Sequence, residues 1–439
     1  MTTPILRLVD LRSKSLDLAV VELETPRAAL NVNEALVQVQ PIIDAVRDQG
    51  EQAVVELAAR FDQIDPRPLR VSQDELDAAL AGLEPRLRDA IDMSIARVRA
   101  VSEANLPDDT SVQLADGAVV RQRWQPVDSV GLYVPGGKAV YPSSVIMNVV
   151  PAQAAGVARL AVATPGQKAF GGRPHPTVLA TAALLGVTEV YAIGGPAAVA
   201  AFAFGIPSVL ERVELVTGPG NIFVTAAKRA LRGVIGIDSE AGTTEILVLA
   251  DATADARLIA FDLISQAEHD EAAASVLVTD SADLVVAVRE HLEALVGQTL
   301  HSERVLQALS GQQSAAVLVS NWDAAIEFTN LYATEHLEIH SADPEASLGA
   351  ISNAGAIFLG SYSPVSLGDY MAGSSHVLPT GYQAKFASGL GVHSFLRAQQ
   401  VIDYSRAGLE PIADLVNDFA QAEGLPAHGE AIKARFEGR

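Results

Sequence analysis

Four stretches of this 439-residue chain carry side chains that could do chemistry together. Gln266-Ala267-Glu268-His269 sets an amide and an imidazole three residues apart in a segment that reads as a helix, so both lie on one face. Glu335-His336 places a carboxylate beside an imidazole. Asp369 and His376 follow in Gly368-Asp369-Tyr370-Met371-Ala372-Gly373-Ser374-Ser375-His376, and His428 closes Glu423-Gly424-Leu425-Pro426-Ala427-His428.

Gln266, His269, Asp369 and His428 together offer nitrogen and oxygen donors without sulfur, a set that suits zinc or a similar divalent ion. No His-Glu-x-x-His signature accompanies them. Two ordinary partly buried histidines and a helix-capping Asp369 account for the same residues, because ligands this dispersed cannot be told from scatter by spacing. Glu335-His336 falls between a helical run, Ala324 to Leu331, and a strand-like one, Leu337 to His340. Adjacent strand residues face opposite ways, so both can reach one substrate only where the backbone turns. A carboxylate beside an imidazole then supplies two proton acceptors, one for a hydroxyl and one for a water. A solvated pair in a loop is the plainer alternative.

The elements that must hold these groups are legible from Val130 onward. Short apolar runs at Val130 to Val134, Leu160 to Ala163, Val190 to Ile193, Val213 to Val216 and Val234 to Ile237 read as strands. Between them, Thr177 to Leu185, Ala197 to Phe204 and Ile222 to Leu231 read as helices, the alternation of an open, mostly parallel α/β sheet. A second series runs through Ile246 to Ala250, the helix Asp255 to His269, Ser275 to Val278, Ala315 to Val319 and Ala356 to Leu359. The first 125 residues are charged and helical instead, with a polar interval at Pro107 to Asp116. After Pro379 the pattern loosens into an acidic helical tail, too small for its own core and expected to pack on another surface.

Three strand ends carry glycine loops: Val134-Pro135-Gly136-Gly137-Lys138, Gly194-Gly195-Pro196 and Gly218-Pro219-Gly220-Asn221. None is the Gly-x-Gly-x-x-Gly fingerprint, and a tight turn explains each alone. Backbone N–H groups at such positions can meet a phosphate, and three together favour a nucleotide crevice.

Composition excludes several partners. A formal net charge of −22 would repel a nucleic-acid backbone and an anionic membrane surface alike. No cysteine is present, so disulfides, thiolate metal sites and cysteine nucleophiles are all absent, and a cytoplasmic location is expected. Tyr191 to Leu210 carries no charge, but Gly194, Gly195, Pro196, Gly205 and Pro207 divide it into pieces suited to a buried strand and a short helix.

Taken together, these motifs resemble the histidinol dehydrogenase family over nearly the whole chain, with an actinobacterial cast. The likeness is carried by Gly131-Leu132-Tyr133-Val134-Pro135-Gly136-Gly137, Thr217-Gly218-Pro219-Gly220-Asn221, Ile264-Ser265-Gln266-Ala267-Glu268-His269-Asp270 and Glu335-His336-Leu337. Leu367-Gly368-Asp369-Tyr370, His376-Val377-Leu378-Pro379-Thr380 and Leu425-Pro426-Ala427-His428 complete it.

The resemblance implies two incomplete doubly wound, Rossmann-like parallel-sheet domains: a main domain from 26–130 with 245–385, and an NAD-binding domain, 131–244. Residues 1–25 would form an N-terminal segment and 386–439 a dimerisation tail reaching the partner subunit. It implies oxidation of L-histidinol to L-histidine through the aldehyde with two NAD+. Zinc would be held by Gln266, His269 and Asp369 of one subunit and His428 of the other, orienting substrate. His336 would take the alcohol proton and Glu335 would activate the hydrating water. Ser143, Thr244, His376 and Glu423 would join Gln266, His269, His336, Asp369 and His428 around substrate; Tyr133, Ala197 and Asn221 would face the cofactor.

Three positions depart from the family pattern. Ala197 stands where a cofactor-contacting Gln is usual, Thr243-Thr244 where Pro-Ser or Pro-Thr is usual, and Ser375 where Asn is common. Two other activities fit parts of the pattern: a related dehydrogenase acting on a sulfonated diol, and a zinc hydrolase in which Glu335 activates water. A sulfonate would want an Arg or Lys in its pocket, and the glycine loops speak against a hydrolase. A non-catalytic binder of the same fold would tolerate loss of both Glu335 and His336.

Overall fold

The structure is a computed structural model that describes residues 5–27, 32–136, 140–240 and 242–437. Gly137 and Lys138, at the end of the first glycine loop, lie outside them. The chain divides into two compact units, Met1–Ala104 with Asp128–Phe395, and Asn105–Val127 with Leu396–Arg439.

Among the described residues, the first unit holds two parallel sheets. One has six strands in the spatial order Arg7–Asp10, Ala315–Leu318, Ala274–Thr279, Glu245–Ala250, His336–His340 and Ala356–Leu359. The three strands at its centre are buried at every residue. Such strands have no alternating face because helices cover both sides. Ile246, Val248 and Ala250 pack with Ile259 and Leu263 of the helix Ala256–Ala267, while Leu247 and Leu249 pack on the opposite side with Phe328 and Tyr332. That helix follows Glu245–Ala250 and runs back beside it, which returns Gln266 to the amino ends of the strands.

The other sheet has five strands in the order Glu189–Ala192, Arg159–Thr164, Ser129–Tyr133, Leu215–Thr217 and Gly236–Ile237. The chain adds strands outward from Ser129–Tyr133 in one direction and then returns to add Leu215–Thr217 on its other side. The crevice between those two strands is therefore the topological switch point, the position where open α/β sheets take ligands. The helix Gly195–Phe204 is almost wholly buried. It shares a core with Val39, Ile43 and Val46 of the helix Val32–Gln49, so this N-terminal helix packs on the five-stranded sheet.

The parallel α/β alternation expected from Val130 onward is present, with ends shifted by a few residues. The second unit adds an antiparallel sheet that the alternation did not reveal: Leu396–Tyr404 pairs with Ala118–Pro126, which pairs with Thr110–Ala115. Thr110–Ala115 lies within the interval read as polar loop. Every residue of it is exposed, and its alternating apolar positions, Val112 and Leu114, are too few for a periodicity argument. The tail then forms the helices Ala413–Ala422 and Pro426–Lys433.

Candidate active site

The amino edge of the six-stranded sheet gathers most of the polar residues singled out in sequence. Glu335 precedes the strand His336–His340, whose His336 lies in register with Ile246 and Ala356. The helix Trp322–Tyr332 ends in Ala333, left-handed at φ 48°, and this reversal supplies the turn that an adjacent Glu-His pair needs to face one space. Both side chains are buried, with His336 Nδ1 3.4 Å from Glu335 Oε2.

His336 Nδ1 lies 3.1 Å from the Glu245 carbonyl oxygen. A carbonyl can only accept, so Nδ1 carries a proton in either charge state, and Nε2 presents a lone pair in the neutral form of the ring. Burial pushes this imidazole down, but the Glu335 charge and hydrogen bond, with help from Asp369, outweigh it and raise its pKa to about 9. Glu335 Oε2 accepts the Thr244 hydroxyl at 2.6 Å and the Glu245 N–H at 2.9 Å. Both bonds fall on Oε2, leaving Oε1 as the oxygen for chemistry.

Gln266, at the carboxyl end of its helix, is 1% exposed. Its Nε2 donates to Thr244 Oγ1 at 2.5 Å, and its Oε1 is buried with no hydrogen-bond partner. An orphaned amide oxygen of this kind costs about 1–3 kcal/mol unless something outside the polypeptide accepts its lone pairs. His269, just past the same helix, points Nε2 to within 3.8 Å of Asp369 Oδ2, too long for a hydrogen bond. Donor atoms around one zinc ion stand about 3–4 Å apart, so the pair has the spacing of two ligands. Burial works against the Asp369 charge, but the polar pull of His269 and the nearby His376 and His336 imidazoles holds its carboxyl below the usual range. The residues present therefore fit a divalent cation.

His376 closes this side. Its Nδ1–H donates to the Asp369 carbonyl at 3.2 Å, so its Nε2, 3.3 Å from Ser144 Oγ, accepts the hydroxyl proton. Burial pushes the imidazole pKa down, which keeps that tautomer neutral. Ser143 is buried beside Ser144 at the start of the helix Pro142–Ala154. Sequence reading named Ser143 and missed Ser144, since two neighbouring serines on one helix turn give no signal of which faces His376. Glu423, capping Ala413–Ala422, and His428, in Pro426–Lys433, belong to the second compact unit and are exposed.

The glycine loops stand at the carboxyl ends of the five-stranded sheet. Tyr133 Oη accepts the Gly195 N–H at 3.1 Å, tying the first loop to the second, and burial pushes its phenol up to about 12. Gly218, at φ 117°, approaches so closely that a Cβ there would sit 2.1 Å from the Tyr133 carbonyl oxygen. Behind it, Lys228 and Asp238 form a buried ion pair. Lys228 Nζ donates to the Gly218 carbonyl at 3.0 Å, and Asp238 Oδ2 accepts the Gly218 N–H at 2.9 Å. Asn221 caps the next helix, its Oδ1 accepting from Phe223 N–H and Val224 N–H. Ala197 is 6% exposed and forms part of the apolar core.

A separate group lies deeper along the same helix and strand. Asp262, Glu338 and His340 bring three donor atoms within 4.8 Å of one another. Burial and the Glu338 charge push the Asp262 carboxyl up to about 8. The sequence signal was present in His336-Leu337-Glu338-Ile339-His340, where three polar side chains alternate along one face of a fully buried strand. This triad shares no residue with Gln266, His269 and Asp369.

Known proteins resemble this chain over nearly its whole length. The family model described as histidinol dehydrogenase matches residues 25–436. A histidinol dehydrogenase of Leifsonia xyli is 55% identical over 98% of this chain and 99% of its own length. One of Mycolicibacterium smegmatis is 53% identical over 98% and 97%. The crystal structure of histidinol dehydrogenase from Elizabethkingia anophelis superposes with a TM-score of 0.93 at 29% identity, covering 100% of this chain and 99% of the other. Among the described residues, no helix is long and apolar enough to cross a membrane. On this match across its length, the chain belongs to the histidinol dehydrogenase family.

Proposed function

We propose that this chain oxidises L-histidinol to L-histidine through L-histidinaldehyde, in two steps that each consume one NAD+. The observation that carries the reading is the line from the orphaned Gln266 Oε1 through the Thr244 hydroxyl to Glu335 and His336. It sets a cation-seeking oxygen beside a carboxylate and an imidazole.

Gln266, His269, Asp369 and His428 of the partner subunit would hold zinc. When bound, zinc fixes substrate nitrogens in place and NAD takes up hydride. His336, with Nδ1–H committed to the Glu245 carbonyl, accepts the alcohol proton at Nε2 when the ring is neutral. Glu335, held by two donors on Oε2, takes a proton from the water that adds to the aldehyde. Its neighbour Thr244 keeps it from turning away. His376 and Ser143, with Glu423 of the partner subunit, would line the substrate space. Tyr133, Asn221 and the Gly218 turn face the nucleotide at the switch point, and Ala197 offers a methyl where an amide would add a hydrogen bond.

A homodimer fits the second unit: its helices expose Leu415, Phe419 and Leu425, and its sheet exposes Leu114 and Ile402, more apolar surface than so small a unit would leave to water. A cytoplasmic location accords with the biosynthetic role.

The competing substrate class is a sulfonated diol. Zinc-loaded enzyme is offered L-histidinol and dihydroxypropanesulfonate separately, each with NAD+. NADH from L-histidinol alone supports the reading, and NADH from the sulfonate alone overturns it.

A further inference from the structure

Both proposed catalytic side chains lean on the backbone of one residue. Glu245 opens its strand; its N–H donates to Glu335 Oε2 at 2.9 Å and its carbonyl receives His336 Nδ1 at 3.1 Å. A shift of Glu245 would therefore move the two side chains together.

The Glu245 side chain is held in turn. Oε1 accepts the Gly381 N–H at 2.9 Å, and Oε2 pairs with Arg27 Nε in a bridge whose side chains are 3% and 12% exposed. Arg27 Nη2 donates to the Tyr332 carbonyl at 2.5 Å and to the Ala333 carbonyl at 3.3 Å. These carbonyls belong to the helix end and left-handed turn just before Glu335. The guanidinium lies between two rings, 4.0 Å from the centroid of Tyr332 and 3.6 Å from that of Tyr382. Its Nη1 is buried without a partner among the described residues, and the ring faces offset part of that cost.

We propose that Arg27 is a positioning residue for the oxidation: it clamps Glu245 to the Tyr332–Ala333 turn and so fixes Glu335 and His336 relative to each other. Arg27 touches neither side chain. It acts through the Glu245 backbone and the turn, from a point more than two hundred residues away in sequence. The clamp calls for arginine, because one planar fork must meet a carboxylate and two carbonyls while its faces stack on rings. A lysine would keep the charge and lose the fork. The inference rests on the catalytic reading of Glu335 and His336.

The test compares zinc-loaded Arg27→Met and Arg27→Lys with the unchanged enzyme. Readouts are kcat, both KM values, the pH profile of kcat and zinc per subunit. Misplacing reacting groups by about 1 Å costs on the order of a hundredfold, so Arg27→Met is expected to lose at least about tenfold in kcat. Its KM for L-histidinol and its zinc content should hold, the acidic limb of its pH profile, set by deprotonation of the bases, should move, and Arg27→Lys should regain part of the rate. Unchanged kcat and pH profile per folded, zinc-loaded subunit would overturn the proposal.

Arg27→Met leaves the Glu245 charge buried and unpaired, which can unfold a protein by itself. The double variant Arg27→Met/Glu245→Gln removes that charge; it should fold and remain slow, and wild-type kcat in it would refute the clamp. Glu335→Gln and His336→Asn run in parallel separate the two failures. Wild-type turnover in both would overturn the catalytic reading whatever Arg27 does. Slow turnover in both beside a normal Arg27→Met would overturn the clamp alone.

Discussion

Gln266 and Thr244 are joined by a 2.5 Å hydrogen bond in which the amide nitrogen donates to the hydroxyl oxygen. Fixing the nitrogen end of an amide fixes where its oxygen faces, and Gln266 Oε1 is left buried and unpartnered. The same hydroxyl gives its own hydrogen to Glu335 Oε2 at 2.6 Å. One threonine thus orients the proposed metal donor and the proposed base. Thr244→Val should weaken zinc binding about ten- to hundredfold, the usual cost of losing a group that orients a ligand, and slow aldehyde oxidation as well. Thr244→Ser should preserve both. Competition with a chromogenic chelator measures the affinity; equal affinities in all three proteins would count against this arrangement.

Glu335 and His336 are adjacent but hold different partners, so their loss should divide the reaction. His336→Asn removes the acceptor for the alcohol proton, and general-base contributions are typically about a hundred- to ten-thousandfold. It should slow L-histidinol oxidation more than L-histidinaldehyde oxidation. Glu335→Gln should do the reverse. Single-turnover assays started from alcohol or from aldehyde distinguish the two, and the same pattern from both variants would contradict the assigned roles.

The proton on His336 also has a thermodynamic consequence. Its folded pKa of about 9 lies above the ordinary imidazole value, so the folded protein binds that proton more tightly than the unfolded chain. The stabilisation is complete below about pH 6.5 and is lost as pH rises through about 9. Asp369 has the opposite sign: its lowered pKa contributes stability above the ordinary carboxylate range that disappears in acid. Metal-free protein should therefore melt at lower temperature as pH rises from about 6.5 to about 9. The decline should be smaller in Glu335→Gln, which lacks the charge that raises His336. An equal decline in both proteins would show that the pair does not carry it.

The fold was legible wherever burial wrote a pattern. Glu245–Ala250 and Ala274–Thr279 are buried on both faces, and their unbroken apolar runs gave them away. Thr110–Ala115 is exposed at every residue, and Val112 and Leu114 alone are too short an alternation to mark a strand. For the candidate site, residue types singled out Gln266, His269, Glu335, His336, Asp369 and His376 but not the contacts among them. Ser144, Glu245 and Arg27 act through backbone groups or a single hydroxyl, and such contacts depend on a turn and a register that no local spacing encodes. Lys228 and Asp238 form a buried pair behind Gly218 that no local spacing encodes either.

The proposed zinc set takes His428 from a second subunit, which makes catalysis a property of the dimer. An inactive His428→Ala protein mixed with an inactive Glu335→Gln protein should regain activity through hybrid dimers. One site in such a hybrid receives an intact His428 and keeps its own Glu335. Exchange is followed by native mass spectrometry on differently tagged chains. Hybrid dimers without activity would contradict a shared site.

The central claim is a four-electron oxidation carried out on one enzyme. The measurement that tests it most directly counts NADH formed per molecule of L-histidinol consumed, with zinc supplied and substrate limiting and run to completion. The account predicts two, with L-histidine as the product. One NADH per substrate, with aldehyde accumulating, would contradict the role given to Glu335. None from folded, zinc-loaded protein would contradict the function itself.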